Sequence, residues 1–229
     1  MLGALLPGAS FACFKDSRIQ ALVERLGSKD AEERSAAARS LGAIQGRAAR
    51  RALLEASNDP DAQVREEIAL SLGFQKGAKT RTKLTDYLTN DPSSSVRAAA
   101  AEGLAARKER KSVPALIDAL WDANSEVRLA ASKALGNIGD PGATLPLAER
   151  LHDVSSAVRR SAAASMARIS DHRAIAPLIH CLNDDDEQVR SVALEALRAM
   201  TDVDHGNRFE DWWEWFRTEY KYEALRYKE

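Results

Sequence analysis

The sequence predicts an all-α chain built as a stack of about six two-helix repeats, and three observations carry that expectation. The dipeptide Val-Arg recurs at Val64-Arg65, Val96-Arg97, Val127-Arg128, Val158-Arg159 and Val189-Arg190, at spacings of 32, 31, 31 and 31, with Glu33-Arg34 one period earlier. A fixed period of this size marks a repeat architecture. Three residues before each of these positions stands a residue suited to cap a helix N-terminus: Asp30, Asp61, Ser93, Asn124, Ser155 and Asp186. Finally, 45% of the 229 residues are hydrophobic but only 6% are aromatic, so the apolar content is mostly Ala and Leu, both helix formers.

Each repeat reads as helix, turn, helix, turn. In residues 112–139 a first stretch places Val113, Leu116, Ile117 and Leu120 at helical spacing. Asp122, Ala123 and Asn124 break it, and a second stretch carries Val127, Ala130, Ala131, Ala134, Leu135 and Ile138. Pro114, Pro146 and Pro177 fall early in first helices, where a missing N–H does least harm. Gly46, Gly77 and Gly139 fall near the ends of second helices, as C-caps do. Small residues form the inner face of the second helices: Ala36 and Ala37, Ala99 and Ala100, Ala130 and Ala131, Ala162, Ala193. Leu41, Leu72, Leu104, Leu135, Met166 and Leu197 then fill the seam between neighbouring repeats. Gly42, Gly73 and Gly136 are in register and read as packing glycines, whereas Gly103 is out of register and isolated.

The repeats are not equal. Where four units have Ile44, Ile138, Ile169 and Met200, two have Gln75 and Arg107. The one extra residue lies between Leu72 and Asp91, and residues 108–111 are all charged. An irregularity is expected on either side of the third repeat.

The array spans residues 17–201. Residues 1–16 are apolar and interrupted by Pro7 and Gly8; they read as a cap, with a signal or anchor segment as the alternative. Residues 202–229 form a C-terminal aromatic segment. Trp212, Phe216 and Tyr220 share one helical face, which covers the open end of the last repeat as terminal repeats require. Trp215 points to the side of that face and is the expected exposed anchor for a partner.

A formal charge of -1, from 33 basic and 34 acidic residues, lacks the basic excess of a nucleic-acid binder. No apolar run approaches the roughly 20 residues of a membrane span. Cys13 and Cys181 suggest no disulfide framework; a reducing, cytoplasmic setting fits, with secreted or periplasmic placement left open. His152, His172, His180 and His205 form no metal-ligand spacing with one another, and the run from Asn183 to Glu187, four of its five residues acidic, lacks the spacing of a calcium loop. No catalytic residue, metal or cofactor is expected.

The Asp-x5-Arg spacing with Val before Arg, the Ala-Ala pairs and Leu-Gly-x-Ile (Leu41 to Ile44, Leu135 to Ile138) resemble HEAT repeats over residues 17–201. The short period is most similar to the bacterial class shared with phycobilisome-lyase-type proteins. The resemblance implies an α-solenoid, a right-handed superhelix whose second helices line a concave surface. It also implies an aspartate–arginine ladder that bridges adjacent repeats and satisfies turn backbone. The ladder maps onto Asp59 and Arg65, Asp91 and Arg97, Asp122 and Arg128, Asp153 and Arg159, and Asp184 and Arg190; in the first repeat Ser28 takes the aspartate position. Most relatives of this kind are scaffolds and adaptors. The expected function is therefore a monomeric, non-enzymatic protein-interaction scaffold. Its contacts would come from outward second-helix residues, chiefly Glu66, Leu70, Glu102, Leu129, Lys133 and Arg160. A bilin lyase or chaperone-lyase subunit is the alternative. A DNA glycosylase or nucleic-acid binder is the further one, against which the mixed outward residues argue, because phosphate binding needs several uncompensated cations.

Overall fold

The computed structural model describes residues 17–220. The expectations placed on residues 1–16, Cys13 among them, and on residues 221–229 lie outside the described residues. Every regular element among the described residues is helical. The chain divides into two compact units between Ala119 and Leu120, inside the fourth repeat.

The first unit holds α1 (Ser17–Leu26), α2 (Ala31–Gly42), α3 (Arg47–Glu55), α4 (Ala62–Gly73), α5 (Ala78–Asn90), α6 (Ser94–Arg107) and α7 (Val113–Asp118). The second holds α8 (Ser125–Ile138), α9 (Thr144–Glu149), α10 (Ser156–Ile169), α11 (Ile175–His180), α12 (Glu187–Thr201) and α13 (Phe209–Trp215). From the fourth repeat onward the first helices shrink to six residues, each led in and followed by a 3-10 turn. The prolines fall in the first turn of these short helices, where no intrahelical N–H is needed. The extra residue of the third repeat is absorbed in α5, an unbroken helix of 13 residues.

All six expected N-cap residues occupy the cap position. Four of them cap with the side chain: Asp30 accepts from the backbone N–H of Glu32, Asp61 from Gln63 and Val64, Asn124 from Glu126, and Asp186 from Gln188 and Val189. Ser93 and Ser155 make no such bond. The difference gives a first prediction: Asp61→Ala costs about 1 kcal/mol in urea unfolding, and Ser155→Ala costs clearly less. Equal losses would mean that the cap bond is not what stabilises these helices.

Second helices stack directly on one another, α2 on α4 on α6 and α8 on α10 on α12. Their approach is close enough that side chains are excluded at the crossing points. A Cβ on Gly42 would lie 2.7 Å from Ser71 Cβ, one on Gly136 2.7 Å from Ser165 Cβ, and one on Gly73 2.7 Å from Gly103 Cα. The supposedly isolated Gly103 is therefore the partner of Gly73. The crossings are also tied by hydroxyls, since Ser71 Oγ donates to the Ala38 carbonyl (3.0 Å) and Ser165 Oγ to that of Ser132 (2.8 Å). The seam residues Leu41, Leu72, Leu104, Leu135, Met166 and Leu197 are all fully buried, as the register predicts. Of the inner-face alanines only Ala36 stays half-buried.

Gly46 and Gly77 do not end second helices. They precede α3 and α5 with φ of 143° and 137°, a conformation that L side chains rarely adopt, whereas Gly139 ends α8 in the left-handed region as expected. The second-helix ends of repeats one and two are instead finished by the next repeat. Gln75 is buried and donates through Nε2 to the carbonyls of Gly42 (3.2 Å) and Ile44 (2.9 Å). Arg107 donates to the carbonyls of Gln75 and Gly77 and pairs with Glu109. The two polar departures from the Ile position thus satisfy carbonyls that a helix end leaves without partners.

Candidate functional site

The repeated charges are consumed by the fold. The guanidinium groups of Arg34, Arg65, Arg128 and Arg159 work in two directions. Nη1 donates to the carbonyls of its own turn, as Arg65 does to Asp59 (2.9 Å) and Pro60 (3.0 Å). Nε and Nη2 grip the aspartate of the next repeat: Arg34 holds Asp59 at 2.7 and 2.9 Å, Arg65 holds Asp91 at 2.8 and 3.0 Å, Arg128 holds Asp153 at 2.7 Å through both nitrogens, and Arg159 holds Asp184 at 2.8 Å through both. The ladder bridges adjacent repeats and satisfies turn carbonyls, as the resemblance implies, but its ion pairs run between repeats and not within the mapped pairs. Arg65 meets the carbonyl of Asp59, not its carboxylate, and likewise Arg97 meets the carbonyl of Asp91, Arg128 that of Asp122, Arg159 that of Asp153 and Arg190 that of Asp184. Arg34, whose own turn carries Ser28, is fully engaged through Asp59, and Ser28 Oγ accepts the N–H of Asp30 as the aspartates do in later turns. Bidentate, charge-assisted bonds of this kind fix geometry as well as adding energy. The hydrogen bonds these guanidinium groups donate to Asp59, Asp91, Asp153 and Asp184 hold the four arginine pKa values above their ordinary value against the opposing effect of burial.

The groups with chemical potential are scattered. Cys181 is buried, and burial together with the nearby Asp184 pushes its thiol up to about 12, so it is no thiolate nucleophile at neutral pH. His180 packs against Phe209 and Trp213, with ring centroids 5.5 and 5.0 Å away. A groove of about 540 Å³ runs between the first helices of repeats five and six, lined by Glu149, His152, Pro177, His180 and Asp184, with Cys181 at its floor. Among the described residues, no three of His, Cys, Asp and Glu converge in a way that could hold a metal ion. No described helix is long and apolar enough to cross a membrane.

The second helices keep one face clear of the packing. Of the expected contact residues, Glu102, Lys133 and Arg160 are exposed, and Glu66, Leu70 and Leu129 are half-buried. In the first unit this face carries a groove of about 450 Å³ between α2 and α4, lined by Arg39, Gln45, Glu67, Leu70, Ser71 and Phe74. Arg39 and Glu67 are ion-paired across it at 2.6 Å. Phe74 is 63% exposed. Its register mates are Ala43, Ala106, Asn137, Arg168 and Ala199, so an aromatic side chain there serves no packing need shared by the repeats. Aligning the repeats at this column would have revealed it.

The aromatic tail differs from expectation at Trp215, which is buried at 8% exposure and not an exposed anchor. The loop after α12 explains this. It brings His205 against Trp212 and Trp215, with centroids 5.1 and 5.2 Å away, and Trp215 also meets Trp212 edge-on at 5.7 Å and Tyr220 at 5.2 Å. Beyond Trp215 the helix widens into a π turn, Phe216–Tyr220. Trp212 is fully buried, and its indole N–H donates to the Gly206 carbonyl at 3.0 Å. Trp213 stacks between Phe209 and Phe216. Since α13 packs on α11, the first helix of the sixth repeat, the segment caps the array.

Paired helices in a 31-residue register, stacked through small residues and stapled by arginine–aspartate rungs, define the α-solenoid class of repeat scaffold. A sequence model of HEAT repeats matches residues 19–105, 81–166 and 113–198, and the chain belongs to the HEAT-repeat family. Among solved structures it is similar to the complex of CpcE and CpcF of phycocyanin lyase from Nostoc sp. PCC7120, at 27% identity over 80% of this chain and 76% of that one, with a TM-score of 0.60. The Escherichia coli protein YibA matches at 26% identity over 78% of this chain and 69% of that one, with a TM-score of 0.62. A designed armadillo repeat protein in complex with the peptide (KR)4 shares the fold at 22% identity over 81% of this chain and 100% of that one, with a TM-score of 0.56. Comparison with curated proteins gives no match.

Proposed function

We propose that the chain is a non-enzymatic protein-interaction scaffold that binds its partner across the outward face of the second helices. The carrying observation is Phe74, 63% exposed beside Leu70 in a groove whose register mates are small or polar. An exposed aromatic side chain beside a half-buried leucine, with an ion pair at the groove's rim, has the composition of an interface hot spot. Glu66 and Glu102 extend this face in the first unit, and Leu129, Lys133 and Arg160 form its counterpart in the second. The partner of the first-unit groove offers an apolar side chain for Leu70 and Phe74.

Phe74→Glu and Leu129→Glu test the reading in recovery of the partner from native lysate. Each is expected to lower recovery at least about tenfold, the effect of losing roughly 1.4 kcal/mol, with helical content and melting temperature unchanged because neither residue belongs to the core. Undiminished recovery with both variants would sink the outward-face reading. The likeness to the phycocyanin lyase complex supports a second reading, a lyase-type subunit. That reading expects the purified chain to retain visible absorbance after incubation with a bilin and desalting; a colourless product removes it.

A further inference from the structure

The ladder of guanidinium forks ends at Arg190. Its Nη1 donates to the carbonyls of Asp184 (2.8 Å) and Asp185 (3.1 Å), the same half of the arrangement seen at Arg34, Arg65 and Arg128. In those residues and in Arg159 the remaining edge, Nε and Nη2, holds the carboxylate of the next repeat. At Arg190 that edge has no acceptor among the described residues. The guanidinium is already oriented by its own turn, so much of the cost of ordering it for a carboxylate has been met in advance.

The flank of α12 beside it shows what the acceptor is not. In earlier repeats the residues four and eight positions after the ladder arginine are small, as in Ala38 and Gly42, Ala69 and Gly73, and Ser132 and Gly136, which lets the next helix approach. In α12 these positions hold Leu194, half-exposed, and Arg198, paired with Asp204 at 2.9 Å. A further repeat at the same close approach would collide with both. The head of the array does not match its end either. Ser28 stands at the aspartate position of the first turn, and its hydroxyl already accepts the Asp30 N–H. A second copy docked head to tail would present the Ser28 hydroxyl, not a carboxylate, at the rung position facing Arg190.

We propose that Arg190, with Leu194 one turn on, is a carboxylate-binding site for a different protein, one that presents an Asp or Glu next to an apolar side chain. The site is separate from the groove at Phe74 and stands or falls without it. The test follows the arginine Nε–H signals of the full chain, labelled with 15N, on addition of acetyl-Leu-Asn-Asp-Asp-Asp-Glu-amide. This peptide supplies carboxylates beside a leucine. At half-occupancy the exchange of the Arg190 Nε–H with water slows about twofold by mass action and its signal moves downfield. The same peptide with Asn and Gln in place of its acidic residues leaves the signal unmoved, the absence of that signal in Arg190→Gln assigns it, and the Arg34, Arg65, Arg128 and Arg159 signals stay in place on addition of the acidic peptide. Three results would overturn the proposal: an Arg190 Nε–H as protected as that of Arg65 in the chain alone, an equal response to both peptides, or the same shift on raising protein concentration without peptide, which would make a second copy the occupant.

Discussion

Asp153→Ala is expected to destabilise the second unit by about 3–5 kcal/mol, the cost of removing one partner from a buried ion pair. The Asp153 side chain is 3% exposed and that of Arg128 10%. Both guanidinium nitrogens lie 2.7 Å from the carboxylate, which also accepts the Ser155 N–H at 3.0 Å. Alanine there leaves Nε and Nη2 of a buried cation and a turn amide without acceptors, which costs more than the pair itself contributes. The contrast is Arg39, 72% exposed, whose pairing with Glu67 should be worth under about 1 kcal/mol. Urea unfolding of Asp153→Ala and Arg39→Ala decides the matter; similar small losses would show that the rungs are surface pairs. The same geometry predicts acid sensitivity. Burial alone would raise the Asp91 and Asp153 carboxyls, but the Arg65 and Arg128 hydrogen bonds, the turn amides and the nearby guanidinium charges outweigh it and hold both below the ordinary 3.8. Arg173 likewise draws Asp171 down to about 2. A carboxyl depressed on folding is more protonated in the unfolded chain at intermediate pH, so its stabilisation is complete above the ordinary value and is lost as pH falls through the folded one. Stability should therefore decline from about pH 4 towards 2, and Asp153→Asn should decline less steeply than the natural chain.

How much of this was legible in the sequence depends on what each feature requires. The N-caps and the buried seam from Leu41 to Leu197 follow from periodicity, because a residue's place in a repeat fixes its burial. The direction of the ladder does not. Asp59 and Arg65 stand six apart and invite pairing, whereas the true acceptor of Arg65 lies 26 residues on and becomes its neighbour only when repeats stack. Gln75 and Arg107 stand out as polar intruders at an apolar column, but the carbonyls they satisfy belong to the previous repeat. Gly46 and Gly77 look like C-caps by position; only their dihedrals show that they launch the following helix. Trp215 was misread because a helical wheel shows one helix and not the loop that folds back over it with His205. Phe74, the exposed aromatic beside Leu70, was readable from the repeat columns.

Trp212→Ala should cost a further about 3–5 kcal/mol, the range for truncating a buried aromatic side chain in a core. Trp212 is the largest fully buried side chain among the described residues, its indole N–H is bonded to Gly206, and its loss also removes the surfaces on which His205 and Trp215 rest. Trp213 is half-buried and should lose less on the same change. Where the loss appears matters more than its size. Repeats contact only their neighbours, so an array that loses its end cap frays from that end. Hydrogen exchange should therefore rise in α11, α12 and α13 of Trp212→Ala while α2 and α4 keep their protection. A uniform rise would mean that the chain unfolds as one cooperative body. Unchanged exchange with lost partner binding would make the tail an anchor instead of a cap. The cap is expected because the two most buried tryptophans face inward, onto each other and the returning loop, and a side chain that is already covered has little surface left to offer a partner.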